Sequence, residues 1–441
     1  MSAEHQPAET RCENQEAVSF DKAAASGAPQ VNGERLWERL SELGAIGAYD
    51  DERTGLRGVR RLALSDDEIR GREKVEEWML SQGLSVSRDA IGNVYARREG
   101  TDPSLAPVMM GSHIDSVGTA GRFDGCLGVL GALEVLQSLD DAGIQTRRPL
   151  VAAFFTDEEG VRFGTDMLGS ATAVGRLEIE SALNLRDRDG VSVREELERH
   201  KQAGDAPWLK DEKPHAYLEC HIEQGPVLLS EGYQLGVVTG VQGISWWRIK
   251  IGGAAAHAGC TPMKSRRDSG LALSTLRVRM HELTKETPGL LCNFGLLHTT
   301  PGLTNVIPDT ASGTIDLRHE DEATLKTAEA RMHEIIKDAV SETGCELLEL
   351  VQTARTAPVV FNHSVVDAVE HEINEMGIRA RRIVSGAGHD AQELASIAPS
   401  GMVFVRGQNE GVSHSPRELS TSEDCAAGVQ ALCRLAVGLA S

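Results

Sequence analysis

The apolar run Leu150-Val-Ala-Ala-Phe-Phe155 passes through Thr156 directly into three acids, Asp157-Glu158-Glu159, followed by Gly160. A continuous apolar stretch of this length reads as a strand covered on both faces, as in a parallel sheet. Carboxylates crowded at the end of such a strand repel one another where water is scarce, and a cation there offsets the cost. The fold must therefore enclose this strand completely while opening its carboxyl end onto an ion.

Four other segments present hard ligands in short loop signatures: Gly-Ser-His113-Ile-Asp115, Phe-Asp124-Gly, Cys220-His221-Ile-Glu223-Gln224-Gly and Ser413-His414-Ser415-Pro416. Any one of them alone is an ordinary turn or capping residue. Together they supply the imidazoles and carboxylates that a paired divalent metal site requires. His113 and Asp115 lie two apart on an extended strand end, so their side chains face the same way. The Asp115 carboxylate is expected to hold the imidazole nitrogen that does not ligate. Adjacent residues diverge, so Glu158 and Glu159 can divide the work of base and ligand.

A helix over 35–43, with Leu36, Leu40 and Leu43 on one face and Gly44 as its stop, opens the pattern. Ser65-Asp66-Asp67-Glu68 reads as a capping box for a second helix that stops near Gly83. Short strands around 93–95 and 107–111, a helix over 127–139, the strand 150–155 and a strand ending at Cys220 then alternate. This order implies an α/β fold, a mostly parallel sheet with helices on its faces and ligands beyond the carboxyl ends of its strands.

After Gly240 the order becomes β-α-β-β-α-β: strand 245–251, helix 269–283, strands 293–298 and 311–318, helix 322–340 and strand 346–351. Trp246 and Trp247 alternate sides of the first of these strands. An α+β domain is therefore expected at 242–350, inserted in a metal-binding domain made of 31–241 and 351–441. Residues 1–30 carry acids, lack an apolar core segment and read as a disordered tail.

At 441 residues the chain exceeds one ordinary core. Its net charge of −21 argues against nucleic acid and anionic membrane as partners. A small anionic substrate stays open, because local arginine and metal charge override the global field. The 8 cysteines include no CxxC pair, so they read as reduced thiols of a cytoplasmic enzyme rather than a disulfide framework or thiolate zinc site. No apolar run reaches membrane-spanning length.

The strings GSHIDSVGTAGRFDGCLG (111–128), TDEEGVRFGTDMLGS (156–170), HIEQGPVL (221–228), HAGCTPMKSRRD (257–268), TNVIPD (304–309) and GVSHSPRE (411–418) keep one order along the chain. From about Arg35 onward they resemble the M20 family of dinuclear zinc amidohydrolases and peptidases, in its amidase, hydantoinase and carbamoylase branch. The resemblance implies a zinc-peptidase-like catalytic domain with an inserted βαββαβ dimerisation domain, and a homodimer. It implies two divalent ions per subunit, zinc by resemblance, although such ligands also accept manganese, cobalt or nickel.

Carried over residue by residue, the resemblance puts His113 and His221 on one ion, Glu159 and His414 on the other, and Asp124 between them. Glu158 becomes the base. Two cations about 3.5–4 Å apart acidify a shared water and polarise the substrate carbonyl. His257, among small residues, matches the group that stabilises the oxyanion. Asn305 and Arg318, thirteen apart on neighbouring predicted strands, match the clamp on a substrate carboxylate. Gln224, Gly386 and Gly388 match the remaining substrate contacts, the glycines admitting a close backbone approach.

His389 and Asp390 read as supporting or core residues, and the stretch 163–167 as a shaper of the substrate side-chain pocket. The implied reaction is hydrolysis of a linear ureido or amide C–N bond, foremost an N-carbamoyl-L-amino acid giving amino acid, CO2 and ammonia. Allantoate amidohydrolysis is the alternative and β-ureidopropionase the third. A peptidase fits Asn305 and Arg318 less well, and a silent ligand-binding protein would not need Glu158 and His257 beside five metal ligands.

Overall fold

The computed structural model describes residues 16–441. They fall into two compact units, Val241–Val359 and residues 16–240 together with Val360–Ser441. The larger unit is organised on a nine-stranded mixed sheet. At its centre Ser400–Val405, Ala216–Ile222, Val108–His113 and Leu150–Phe155 lie side by side in that order and run parallel. Every residue of these central strands is buried, which is why 150–155 is apolar throughout instead of alternating. Antiparallel strands flank them: Val94–Arg98 and Ser85–Arg88 on one side, Leu235–Val241 on the other.

The helices Cys126–Asp141 and Ser422–Ala440 pack on this sheet and on each other, and both are buried around most of their circumference. The first long helix runs Gly33–Ala45, so Gly44 lies inside it and does not stop it. The turn falls two residues later, where Gly47 takes the left-handed conformation at φ 76°. In the helix Asp66–Ser81 the expected capping box forms only by half. The Ser65 hydroxyl accepts from the Glu68 amide, but the Glu68 carboxylate turns inward to the Leu64 amide and the buried Arg72 guanidinium.

That inward turn serves the sheet. Arg72 Nε donates to Glu68 Oε1 at 2.6 Å and Arg72 Nη2 to the Thr156 hydroxyl at 3.0 Å. The Thr156 amide donates to Asn93 Oδ1 at 2.9 Å. The residue that carries the chain from the buried strand into its three acids is thus held by a polar layer inside the core.

The disordered opening expected over 1–30 needs correction where it can be described. Residues 1–15 lie outside the described residues, and residues 16–30 are packed. Lys22–Ser26 is helical and capped by Asp21, with Ala25 buried. The Asp21 amide donates to the Gly438 carbonyl at 2.8 Å, Val18 to the Ser364 hydroxyl at 3.0 Å, and Gln430 to the Pro29 carbonyl at 3.0 Å. Composition misleads here because the segment docks mainly through backbone hydrogen bonds and small alanines, with a single aromatic ring, Phe20, set against Gly438.

In the smaller unit the strands order as Leu291–Asn293, Thr310–His319, Gly243–Gly252 and Glu346–Thr356, all antiparallel, with Leu297–Thr300 also on Thr310–His319. The helices Ser269–Glu286 and Glu322–Glu342 contribute to the unit's core, where Leu276, Met280, Met332 and Ile336 meet Ile249, Ile251 and Ile315 of the sheet. Trp247 packs against this core while Trp246 is exposed. The single strand expected over 293–298 is broken: Asn293 faces Asp316 and Leu297 faces Gly313, so four steps oppose three, a one-residue bulge. Ala256–His257 and Val306–Ile307 form a separate two-stranded ribbon.

Among the described residues no helix is long and apolar enough to cross a membrane, and seven cysteines are unpaired.

The buried Glu68–Arg72 pair gives a stability prediction. Glu68→Ala leaves an uncompensated guanidinium in the core and should cost about 3–5 kcal/mol, whereas the double change Glu68→Leu/Arg72→Met should recover most of it. Urea unfolding midpoints measure both. A loss below about 1 kcal/mol for the single variant would show that the pair does not hold this corner.

Candidate metal centre

The candidate ligands stand at the carboxyl ends of the parallel strands. His113 is the last residue of Val108–His113, Glu158 and Glu159 follow Leu150–Phe155, and His221 is next to last in Ala216–Ile222. His414 lies in the loop after Ser400–Val405, and Asp124 in the turn that opens Cys126–Asp141. Five chain segments thus converge on one edge of the sheet.

Asp124 is their common neighbour. Its Oδ1 lies 3.2 Å from His221 Nε2 and 3.6 Å from His113 Nε2, and its Oδ2 lies 3.5 Å from His414 Nε2. His414 Nε2 is 3.2 Å from Glu159 Oε2. Two donor groups result, His113–Asp124–His221 and Asp124–Glu159–His414, each with its ligand atoms within 4.8 Å of one another. These are the nitrogen and oxygen donors that a divalent cation takes. Glu159 Oε1 is buried without a hydrogen-bond partner, an orphan that a cation would satisfy.

The imidazoles are aimed by the backbone. His113 Nδ1 faces the Asp115 carbonyl at 3.0 Å and His221 Nδ1 faces the Ile222 carbonyl at 2.9 Å, so each Nδ1 donates and each Nε2, turned toward Asp124, is the nitrogen that a cation would take in exchange for its proton. Gly125, at φ 65°, lets the chain pass under the His113 ring: a Cβ there would stand 2.4 Å from it. The expected role of the Asp115 side chain is corrected. Its Oδ1 is 3.7 Å from His113 Nδ1, and its carboxylate accepts instead from the amides of Glu158 at 3.2 Å and Glu159 at 3.3 Å. Asp115 therefore ties two strand ends together, and its carbonyl does the aiming.

A third cluster, Glu219, His221 and His389, is already satisfied. Glu219 accepts from the Ser112 and Tyr217 hydroxyls and from the Ala391 amide. His389 packs edge-on against the His221 ring at 4.5 Å, with its Nε2 2.9 Å from the Ser385 hydroxyl. His389 is thus a support for His221. Asp390 is fully buried at the start of a short helix, and Gly386 and Gly388 belong to the loop between Ala380–Ser385 and that helix.

Sequence reasoning gave no role to Ser413 or Glu418, although both stand in the string that carries His414. The Ser413 hydroxyl is 2.6 Å from Asp124 Oδ2 and 2.7 Å from Glu418 Oε2, while Glu418 Oε1 accepts from the Phe123 and Asp124 amides. The acid four residues beyond His414 was the available signal. Gln224, expected at the substrate, has its amide on Asp124 Oδ2 at 2.8 Å. Asp157, Gln224 and His414 all hold left-handed backbones, at φ 54°, 56° and 54°.

The electrostatics are those of acids gathered in a dry place. Burial pushes Glu158 well above the usual carboxyl range, His113 opposing and Asp390 and Glu159 reinforcing. Burial likewise pushes Asp157 up, with Asp115 adding to it. Burial would raise Asp124 too, but hydrogen bonds from His113 and His221 hold it well below its ordinary value. Burial brings Glu418 up to about 7, Asp124 contributing next. The hydrogen bond to Glu159 raises His414 to about 9.

In the smaller unit His257 is exposed, and its Nδ1 accepts from the Gly259 and Cys260 amides, which leaves the proton on Nε2. Asn305 is beside it, its carbonyl accepting from the Ala258 amide at 3.0 Å. Arg318 is not with them. Asn305 precedes the ribbon strand Val306–Ile307, whereas Arg318 lies near the far end of Thr310–His319, paired with Asp316. From Thr310 to Arg318 the strand climbs about 26 Å at 3.3 Å per residue. The expectation of neighbouring strands fails because the segment after Asn305 pairs with His257 and not with the main sheet.

Residues 109–437 match the model of peptidase family M20/M25/M40. An N-carbamoyl-L-amino acid amidohydrolase of Geobacillus stearothermophilus is 40% identical over 415 residues, covering 91% of this chain and 97% of that protein. A probable allantoate deiminase of Oryza sativa subsp. japonica is 34% identical over 426 residues, covering 88% and 84%. The crystal structure of an amidase of the hydantoinase/carbamoylase family from Burkholderia multivorans superposes with a TM-score of 0.89 at 40% identity, covering 93% of this chain and 98% of that one.

A pH dependence follows from His414. Its raised pKa of about 9 keeps a proton on the Glu159–His414 pair through neutral pH, and an incoming ion must displace it. Affinity of the metal-free protein for zinc at this position should therefore rise by about tenfold per pH unit between 7 and 8.5 and level off above 9. Chelator-competition titrations measure it. A flat profile over that window would contradict the pairing.

Proposed function

Because the chain belongs to peptidase family M20/M25/M40, we propose that it is a metal-dependent hydrolase of linear ureido C–N bonds, acting on N-carbamoyl-L-amino acids to give the amino acid, CO2 and ammonia. The observation that carries the reading is the Asp124-centred pair of donor groups with the buried carboxyl of Glu158 beside it, Oε2 3.5 Å from His113 Nε2. The named activity of the Geobacillus relative, matched along nearly its whole length, supplies the substrate class. Allantoate is the second reading, favoured by the Oryza relative, and β-ureido acids the third.

In this proposal His113, His221 and Asp124 hold one divalent ion and Asp124, Glu159 and His414 a second, zinc in both. The ions supply Lewis acidity toward the substrate carbonyl and the attacking water. Glu158 takes the proton from that water and returns it to the leaving nitrogen, a shuttle that its raised pKa suits near neutral pH. His257 offers its Nε2 proton to the developing oxyanion, a contribution that in hydrolases is often worth several kcal/mol. Arg318 and Asn305 hold the substrate carboxylate, and Gln224, Gly386 and Gly388 line its approach. The metal-binding domain is the larger unit, which resumes at Val360, and the inserted domain is Val241–Val359, longer than the expected 242–350 because the whole strand Glu346–Thr356 belongs to its sheet. Unpaired cysteines support a cytoplasmic setting.

The inserted domain is proposed to join two subunits. His257 and Asn305 lie together ahead of Thr310, while Arg318 is near the far end of Thr310–His319, about 26 Å along that strand from Thr310. One small substrate cannot span that distance within a single chain. Sharing resolves it if the His257–Asn305 end serves the partner's site and Arg318 its own.

Glu158→Gln should lose at least about a thousandfold in kcat on N-carbamoyl-L-amino acids while keeping its metal, since the amide preserves shape but accepts no proton. Ammonia release and elemental analysis of the purified variant decide it. Activity above a few per cent of wild type, with metal present, would falsify the assignment of the base.

Mixing inactive Glu158→Gln subunits with inactive His257→Ala subunits should restore activity, because some sites then combine an intact Glu158 with an intact His257. No recovery in verified mixed dimers would confine His257 to its own chain.

A further inference from the structure

Met167 has a left-handed backbone at φ 54°, an unusual state for a long side chain, and its amide donates to the Glu158 carbonyl at 2.8 Å. Its backbone is thereby fixed to the loop that carries the base. Its side chain is 4% exposed and reaches the glycine loop opposite: a Cβ on Gly388 would stand 2.3 Å from Met167 Cε. Gly388 precedes His389, whose ring lies against His221. The CH2–S–CH3 end of Met167 therefore runs from the base loop to the loop that borders a metal ligand.

Both walls are braced. Leu168–Ala173 follows Met167 and Asp390–Leu394 follows Gly388, and Arg176 just beyond the first helix pairs with Glu393 of the second. A swing of the backbone would break that pair, whereas the thioether is the compliant element between the walls.

We propose that Met167 is a specificity-determining residue that sets the size limit of the substrate's amino-acid side chain, its thioether end filling space that a large side chain would need. This rests on the reading of the chain as an N-carbamoyl-L-amino acid hydrolase. Gly388 belongs to the same device, because any side chain there would drive the methionine out of its place.

The test is the ratio of kcat/KM for N-carbamoyl-L-phenylalanine to that for N-carbamoyl-L-alanine, measured on metal-loaded protein. Met167→Ala should raise the ratio by about tenfold or more and Met167→Phe should lower it, while Met167→Leu, similar in volume, keeps the wild-type order. Loss of stability alone slows both substrates alike and leaves the ratio unmoved. A ratio unchanged in both Met167→Ala and Met167→Phe overturns the assignment. Wild-type protein that hydrolyses neither compound overturns the functional reading, and this assignment with it.

Discussion

The carboxylate of Asp124 is the interaction on which the rest of the site depends. It receives the imidazoles of His113, His221 and His414, the Gln224 amide and the Ser413 hydroxyl, which come from three other parts of the chain. Its own position is fixed from behind, where Glu418 accepts the Phe123 and Asp124 amides. It also stands at the opening of Cys126–Asp141, where the helix dipole favours negative charge. The low pKa of Asp124 amid raised neighbours has the same origin. It faces imidazoles on both of its oxygens, whereas burial dominates at Asp157 and Glu158.

Beneath this edge, two buried polar clusters hold the ends of the apolar strands. Glu68 and Arg72 hold Thr156 from one side, and Glu219 takes Ser112, Tyr217 and the Ala391 amide from the other. An isolated charge at either place would cost several kcal/mol. As partnered sets, the groups tie the strand ends together and leave the upper edge free to hold unsatisfied oxygens such as Glu159 Oε1.

Much of this was legible in the sequence, for identifiable reasons. The strand 150–155 and the helix after Asp124 carry strong local patterns, and each ligand stands in a short Gly-marked string at a strand end or in a loop. What escaped was decided by tertiary contact. The inward turn of Glu68 depends on Arg72 and Thr156, which no capping rule contains. The docking of residues 16–30 depends on the last helix of the chain. Asp115 read as a side-chain partner of His113 because spacing of two implies a shared face, yet a carbonyl on the same residue was nearer. Asn305 and Arg318 were set side by side because the sequence gives no sign that the segment after Asn305 leaves the main sheet for His257.

Asp157, Met167, Gln224 and His414 share one backbone state, close to φ 55°. A side chain there costs roughly 1–2 kcal/mol per residue relative to the right-handed region. Each of these positions is therefore screened twice, once by ligand or contact chemistry and once by shape. Asp or Asn could replace His414 with the loop in place, because short polar side chains tolerate this region, while valine or isoleucine would force the loop to move whatever metal was present. The alphabet open to anyone redesigning this centre is thus narrower than coordination chemistry alone would allow, and glycine and asparagine are its natural neutral letters.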